Sequence, residues 1–321
     1  MIKHNIIAVL LSTLTFSACA KTTNETHSNS TAQKTNEKND LELQQRIKTL
    51  VEKTQKNMIF VQGGTFMMGD FGELVNKGKL PFDGDAHSKP LHKVTLDSYS
   101  LNAYKSIYDD LDTYSAATGQ PKVMNDPDII DKRYKDAAAG LNWYQARDYC
   151  QWLGKQLNVP MDLPTEAQWE YAARNRGQQV VYPTDNGKVE YGKNFNSYQQ
   201  QKDFSRKVSG DAIILVSQLG AYQPTPLGFY DLINENLEWV ADWYAPDYYS
   251  KSPEKNPKGP ETGTAKVLRS TNINDEYMIR TAFGFTFSRM FKEPDLKGKD
   301  FAHYYTTSVR CVANSPTPIE K

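Results

Sequence analysis

Residues 228–243, GFYDLINENLEWVADW, set a constraint that the rest of the chain has to satisfy. Four carboxylates (Asp231, Glu235, Glu238, Asp242) and two asparagines (Asn234, Asn236) stand there between aromatic and aliphatic residues. No helical or alternating period places them on a wet face. An unpartnered buried carboxylate costs several kcal/mol, so the fold must bring this stretch either hydrogen-bond donors or a hard cation. The spacing Asp231, Asn234, Asn236, Glu238 suits a loop that wraps side-chain and carbonyl oxygens round calcium, which takes roughly six to eight oxygen ligands. A hydrogen-bonded loop without an ion meets the same spacing.

The charge balance excludes one class of partner. Lys+Arg and Asp+Glu both total 38, so no basic excess favours nucleic acid. Tyrosine is abundant and long apolar periods are few, which predicts a loop-rich core packed by aromatic rings. At the N-terminus Lys3 and His4 precede an apolar run, residues 6–14, that is shorter than the ~20 residues a spanning helix needs. It leads into Phe16-Ser17-Ala18-Cys19, small residues before a cysteine, which resembles a bacterial lipobox with Cys19 as the lipidated thiol. An ordinary secretory signal with a chance cysteine is the other reading. Ala20-Lys21 lacks the aspartate that retains many lipoproteins in the inner membrane, so the expected address is the outer membrane, facing periplasm or cell surface.

On this reading residues 1–18 are a signal peptide and 19–40 a polar, flexible tether. Leu43, Ile47, Leu50 and Val51 then give an amphipathic helix over 41–57. Two cysteines remain, Cys150 and Cys311. In an oxidising compartment such a pair is most simply a disulfide; a redox or metal-binding thiol pair would ask for C-x-x-C spacing, and the sequence has none.

Strands are expected over 58–61, 65–69 and 92–101, a loop over 70–90, a helix over 107–118 and an irregular stretch over 120–131. Residues 141–159 are the clearest helix, with Asn142 as N-cap and Trp143, Ala146, Cys150, Leu153 and Leu157 on one face. Thr165 and Gln168 form a capping box for the next helix, and Gly177 suits its end. Between 178 and 226 no long period is found, only a short strand over 213–216; after Arg269 short segments follow.

Several of these pieces, in this order, resemble the formylglycine-generating enzyme family, or sulfatase-modifying factor domain. They are FVQGGTFMMG from Phe60, NWYQA from Asn142, YCQWLGK from Tyr149, LPTEAQWEYAAR from Leu163, GFYDL from Gly228 with EWVADW from Glu238, and VRCV from Val309. The resemblance implies an α+β fold: one compact domain over 58–315, related to C-type lectins, low in regular secondary structure and holding structural calcium, with a tail over 316–321. Asp231 and Glu238 match side-chain calcium ligands of the family, and Asn234 and Asn236 match main-chain ones. A second calcium site would fall near Asn194 or Asn196 and Asp203 or Asp211. Cys150 and Cys311 match a family disulfide.

The departures bear on function. The family's oxidases hold monovalent copper with two cysteines in the segment that corresponds to residues 269–289, and no cysteine occurs there. Monovalent copper selects soft thiolates, so formylglycine generation and copper are not expected. His87, His92 and His303 show no metal-ligand spacing. Arg280 and Arg289 match pocket or core arginines, which would bind an anion or pair with the acidic cluster. Asp162 and Leu237 replace a common arginine and tryptophan. The resemblance leads to a lipid-anchored, non-catalytic domain that binds a protein, as an immunity protein against a secreted antibacterial effector or a part of a surface or secretion assembly. A periplasmic oxidoreductase tailoring a peptide or siderophore precursor is the alternative.

Overall fold

The computed structural model describes residues 25–84, 86–125, 133–210, 215–234, 236–270, 285–294 and 307–320. The chain divides into two compact units, residues 1–44 and 45–321. Helix α1 runs Glu25–Asn57, so residues 25–40 are helical where the sequence predicts a tether. Polarity removes a core-facing stripe, but Lys, Glu and Gln are good helix formers, and a polar segment need not be irregular. Within the larger unit Leu50 and Thr54 are buried, and Lys53 Nζ lies 2.7 Å from Asp110 Oδ1.

Strand β1 (Met58–Val61) follows at once, then β2 (Gly64–Met68), a single turn of helix α2 (Gly72–Val75), β3 (His92–Leu96) and β4 (Tyr99–Asn102). The one strand expected over 92–101 is two, because its halves serve different sheets. β3 pairs with β2, and β4 pairs with β1. Helix α3 (Tyr108–Thr118) ends at Gly119 in the left-handed conformation. Helix α4 (Trp143–Leu157) is opened by a reciprocal box in which Gln145 N donates to Asn142 Oδ1 and Asn142 N to Gln145 Oε1.

Strand β5 (Met161–Asp162) leads into helix α5 (Glu166–Ala173), capped by Thr165 and Gln168. Helix α6 (Tyr198–Ser209) departs from the expectation for 178–226. Its apolar residues are few, Tyr198, Phe204 and Val208, and the face it buries carries the polar Gln201 and Ser205, but Ser197 and Gln200 form the same box that marks α5. Of the strand expected over 213–216, residues 213 and 214 lie outside the described residues, and 215 and 216 are in no strand. Strands β6 (Leu237–Trp243), β7 (Lys266–Arg269), β8 (Met290–Lys292), β9 (Thr307–Ser308) and β10 (Val312–Ala313) complete the chain.

The sheets run β1-β4-β10-β5, β2-β3 and β8-β7-β6-β9, antiparallel except for the β6–β9 pair. Two large clusters of buried side chains, with two smaller ones around Phe71 and Phe195, fill the interior. One gathers Leu111, Tyr149, Cys150 and Leu153 with Trp239; the other gathers Val61, Tyr99, Trp169 and Phe229. Cys150 on α4 is bonded to Cys311, S–S 2.00 Å with Cα atoms 5.5 Å apart, and both are fully buried. That link holds the strand of Val312 against the helix, and with it the neighbouring Arg310.

Candidate functional site

The acidic loop obtains its partners from elsewhere in the chain. Glu238, at the start of β6 and fully buried, accepts from Trp169 Nε1 at 2.9 Å and from Arg310 Nε at 3.0 Å through Oε2. Its Oε1 accepts from Arg310 Nη2 at 3.1 Å and lies 3.7 Å from Lys105 Nζ. Burial alone would raise its pKa, yet Arg310 and Lys105 hold it below the usual carboxylate range. Arg310 also donates to the carbonyls of Asn102 and Tyr230, each at 2.8 Å, so its guanidinium staples β4 to the loop.

Lys105 is the other cation. Its side chain is wholly buried, and Nζ donates to Asn234 Oδ1 and, at 2.7 Å, to Asn236 O. Three of the four sequence-predicted calcium ligands therefore converge on an ammonium group. Asp231 points its carboxylate elsewhere, accepting from Gly220 N at 2.8 Å, and burial raises its pKa. A calcium ion bonded to Asn236 O and Glu238 would need the place that Nζ holds, so the residues present do not fit the ion. Of the second predicted site, Asp211 lies outside the described residues. Among the described ones, Asn194 Oδ1 accepts from Glu190 N at 2.8 Å, Asn196 Oδ1 accepts from Tyr222 OH at 2.9 Å, and Asp203 is exposed beside Arg206.

A second buried charge cluster surrounds α5. Glu166 Oε1 accepts from Arg269 Nη1 at 2.8 Å, Arg289 Nε at 2.6 Å and Tyr249 OH at 3.2 Å. Glu170 accepts from Gly69 N at 2.9 Å, Arg174 Nη1 at 2.8 Å and Arg269 Nη2 at 3.0 Å. Arg289 is thus a buried ion-pair residue, 1% exposed at its side chain. Arg280, Cys19 and His303 lie outside the described residues. Asp242 Oδ2 accepts from Glu166 N at 2.8 Å, and burial, with Glu166 close by, pushes its carboxyl up to about 7. Lys266 Nζ sits 3.9 Å and 3.8 Å from the ring centroids of Trp143 and Trp243 and donates to Ala241 O at 2.7 Å; burial pulls it down to about 8. The aromatic run after Trp243 goes into packing: Tyr244 stacks on Phe291 at 4.0 Å, and Tyr248 and Tyr249 are buried.

An open cleft of about 830 Å³ is bordered by Gln62, Asp97, Asp162, Gln168, Asn256 and Lys258. Asp162, the residue standing where an arginine is common, lines it directly.

The profile of the Sulfatase-modifying factor enzyme 1-like domain matches residues 43–311. The chain belongs to this family. As a member of the sulfatase-modifying factor family it resembles proteins of differing names. It is 26% identical over 273 residues to the formylglycine-generating enzyme of Streptomyces coelicolor, covering 71% of this chain and 82% of that enzyme. It is 28% identical over 231 residues to the serine/threonine-protein kinase pkn1 of Chlamydia pneumoniae, covering 66% of this chain but only 32% of the kinase. Among solved structures, PvdO from Pseudomonas aeruginosa superposes with a TM-score of 0.57 at 21% identity, over 80% of this chain and 93% of PvdO. At that identity the likeness establishes the fold.

Within the family fold, sequence reasoning passed over Lys105, Arg310, Glu166, Glu170 and Arg269, which carry the buried charge. Arg310 and Arg269 stood in or beside quoted motifs without a role assigned. Lys105 gave no local signal, since a lysine between a strand and a helix ordinarily faces water.

Proposed function

We propose that this chain is a lipid-anchored protein of the outer membrane, held through Cys19, whose sulfatase-modifying-factor domain binds another protein instead of oxidising one. Immunity against a secreted antibacterial effector, or service in a surface or secretion assembly, is the form this binding takes. One observation carries the reading. The chain has three cysteines, and the two inside the domain are spent on each other in a fully buried disulfide, leaving no thiolate pair to hold monovalent copper. The family's formylglycine chemistry then has no soft-metal site on which to run.

The cleft supplies a surface for the partner. Its border mixes an exposed cation, Lys258, with carboxylates Asp97 and Asp162 and with amide side chains, a composition suited to a polar peptide segment. Photo-crosslinking tests this directly. A photoreactive residue at Asp97 or Lys258 is expected to trap one protein from the envelope, and the adduct is expected to disappear when Asp162→Lys is introduced. Turnover of a cysteine-containing peptide to its aldehyde by the purified chain with copper would refute the binding role.

A further inference from the structure

We propose that Lys105 is a built-in cation that takes the place of a metal ion in the oxygen cage of the loop at residues 231–238, so that this cage is closed to calcium. The inference is independent of the binding role proposed above. It rests on the geometry of three oxygens of different origin: the Asn234 side-chain amide, the Asn236 main chain and the Glu238 carboxylate all face one ammonium.

An ammonium and a calcium ion both ask for oxygen, but in different amounts and at different ranges. An ammonium has three N–H donors and bonds oxygen near 2.8 Å or a little beyond. Calcium needs roughly six to eight oxygens at about 2.3–2.6 Å. The loop meets the first demand. Asn236 O is at 2.7 Å, Asn234 Oδ1 is also bonded, and Glu238 Oε1 supplies the charge at 3.7 Å. It fails the second, since Asp231 has turned to Gly220 N and both Glu238 oxygens already accept from Arg310.

Charge bookkeeping agrees. Among the described residues of the loop the carboxylates are Asp231 and Glu238, and two cations are already present: Arg310 and Lys105 both face Glu238, and both act on Asp231 as well. Two single positive charges thus stand where a divalent ion would supply both.

The ammonium is also held where it is needed from both sides of its own residue. Ala103 N donates to Asn57 O at 2.8 Å and Ser106 N to Val309 O at 2.9 Å. Between them the Tyr104 ring stacks on Tyr230, with centroids 4.4 Å apart and planes 10° from parallel. Tyr230 directly precedes Asp231, so the stack fixes the lysine segment against the loop it fills. Such a cation is covalently part of the chain. It cannot be chelated or diluted away, and the loop is complete as soon as the chain folds.

The test uses the full chain. The thermal midpoint of the parent is expected to be the same in millimolar calcium as in chelator. Crystals soaked in terbium, a calcium probe, are expected to show no anomalous peak within bonding distance of Asn236 O and the Glu238 carboxylate. A peak at that place would overturn the proposal, whatever the ion binds elsewhere. Lys105→Met keeps the length of the side chain and removes its charge. Its midpoint is expected to fall by several degrees, because oxygens and a carboxylate are left facing no cation. A variant that unfolds at the parent's midpoint would equally defeat the idea. Should the variant fail to fold, the terbium map of the parent still decides.

Discussion

Asp242 shows how a single buried carboxyl contributes to the pH response of the molecule. Its oxygen caps the backbone N–H of Glu166, while burial and the neighbouring Glu166 charge raise its pKa from 3.8 to about 7. Between those two values the unfolded chain has released a proton that the folded chain still holds. By linkage, the contribution of Asp242 to stability falls as pH rises through that window and is constant above it. Asp242→Asn removes the titration but keeps an oxygen that can accept from Glu166 N. At pH 8 the variant is expected to be more stable than the parent by about 1 kcal/mol or more, one pKa unit being worth about 1.4 kcal/mol. Near pH 4 the two should unfold at the same denaturant concentration. Chemical unfolding at both values checks this, and a gap independent of pH would assign the effect to something other than this proton.

At the level of elements, Gly154 is a case where propensity and packing disagree. It lies inside α4, where alanine ordinarily gains roughly 1 kcal/mol over glycine. Here a Cβ would meet Val159 O at 2.7 Å and the Met161 backbone N at 2.9 Å, because the chain turns back through Asn158 to start β5 against the helix. Gly154→Ala is therefore expected to destabilise by about 1–3 kcal/mol, the range for overpacking; a higher urea midpoint would contradict it. The same contrast explains how much was legible in the sequence. Capping boxes are local, so Asn142 and Thr165 announced α4 and α5, and Ser197 with Gln200 offered the same signal for α6. Strands as short as β9 and β10 have no period to read, and their partners are remote. The acidic loop was recognisable as a stretch in need of partners. Lys105, at 129 residues from Asn234, and Arg310, at 72 from Glu238, are joined to it only by the tertiary fold.

For the molecule as a whole, the Cys150–Cys311 bond closes a loop over a sequence separation of 161 residues, which is most of the larger unit. A link that long acts chiefly by restricting the unfolded chain, worth about 5 kcal/mol in the chain-entropy model and more often 2–4 in practice. The double variant Cys150→Ala with Cys311→Ala is expected to lose about 3–5 kcal/mol while keeping the fold that the buried ion pairs and aromatic rings define. Both sulfurs are fully buried, so a reductant should reach them only when the chain opens. Reductant alone at low temperature is expected to leave the parent unchanged. Reductant during a thermal scan should bring the parent's midpoint down to that of the double variant, and the variant itself should not respond. If the loss lies in the unfolded state, the double variant below its midpoint must still capture the same crosslinked partner at Asp97 and Lys258. Loss of that adduct in the folded variant would mean that the bond shapes the cleft as well as the unfolded chain.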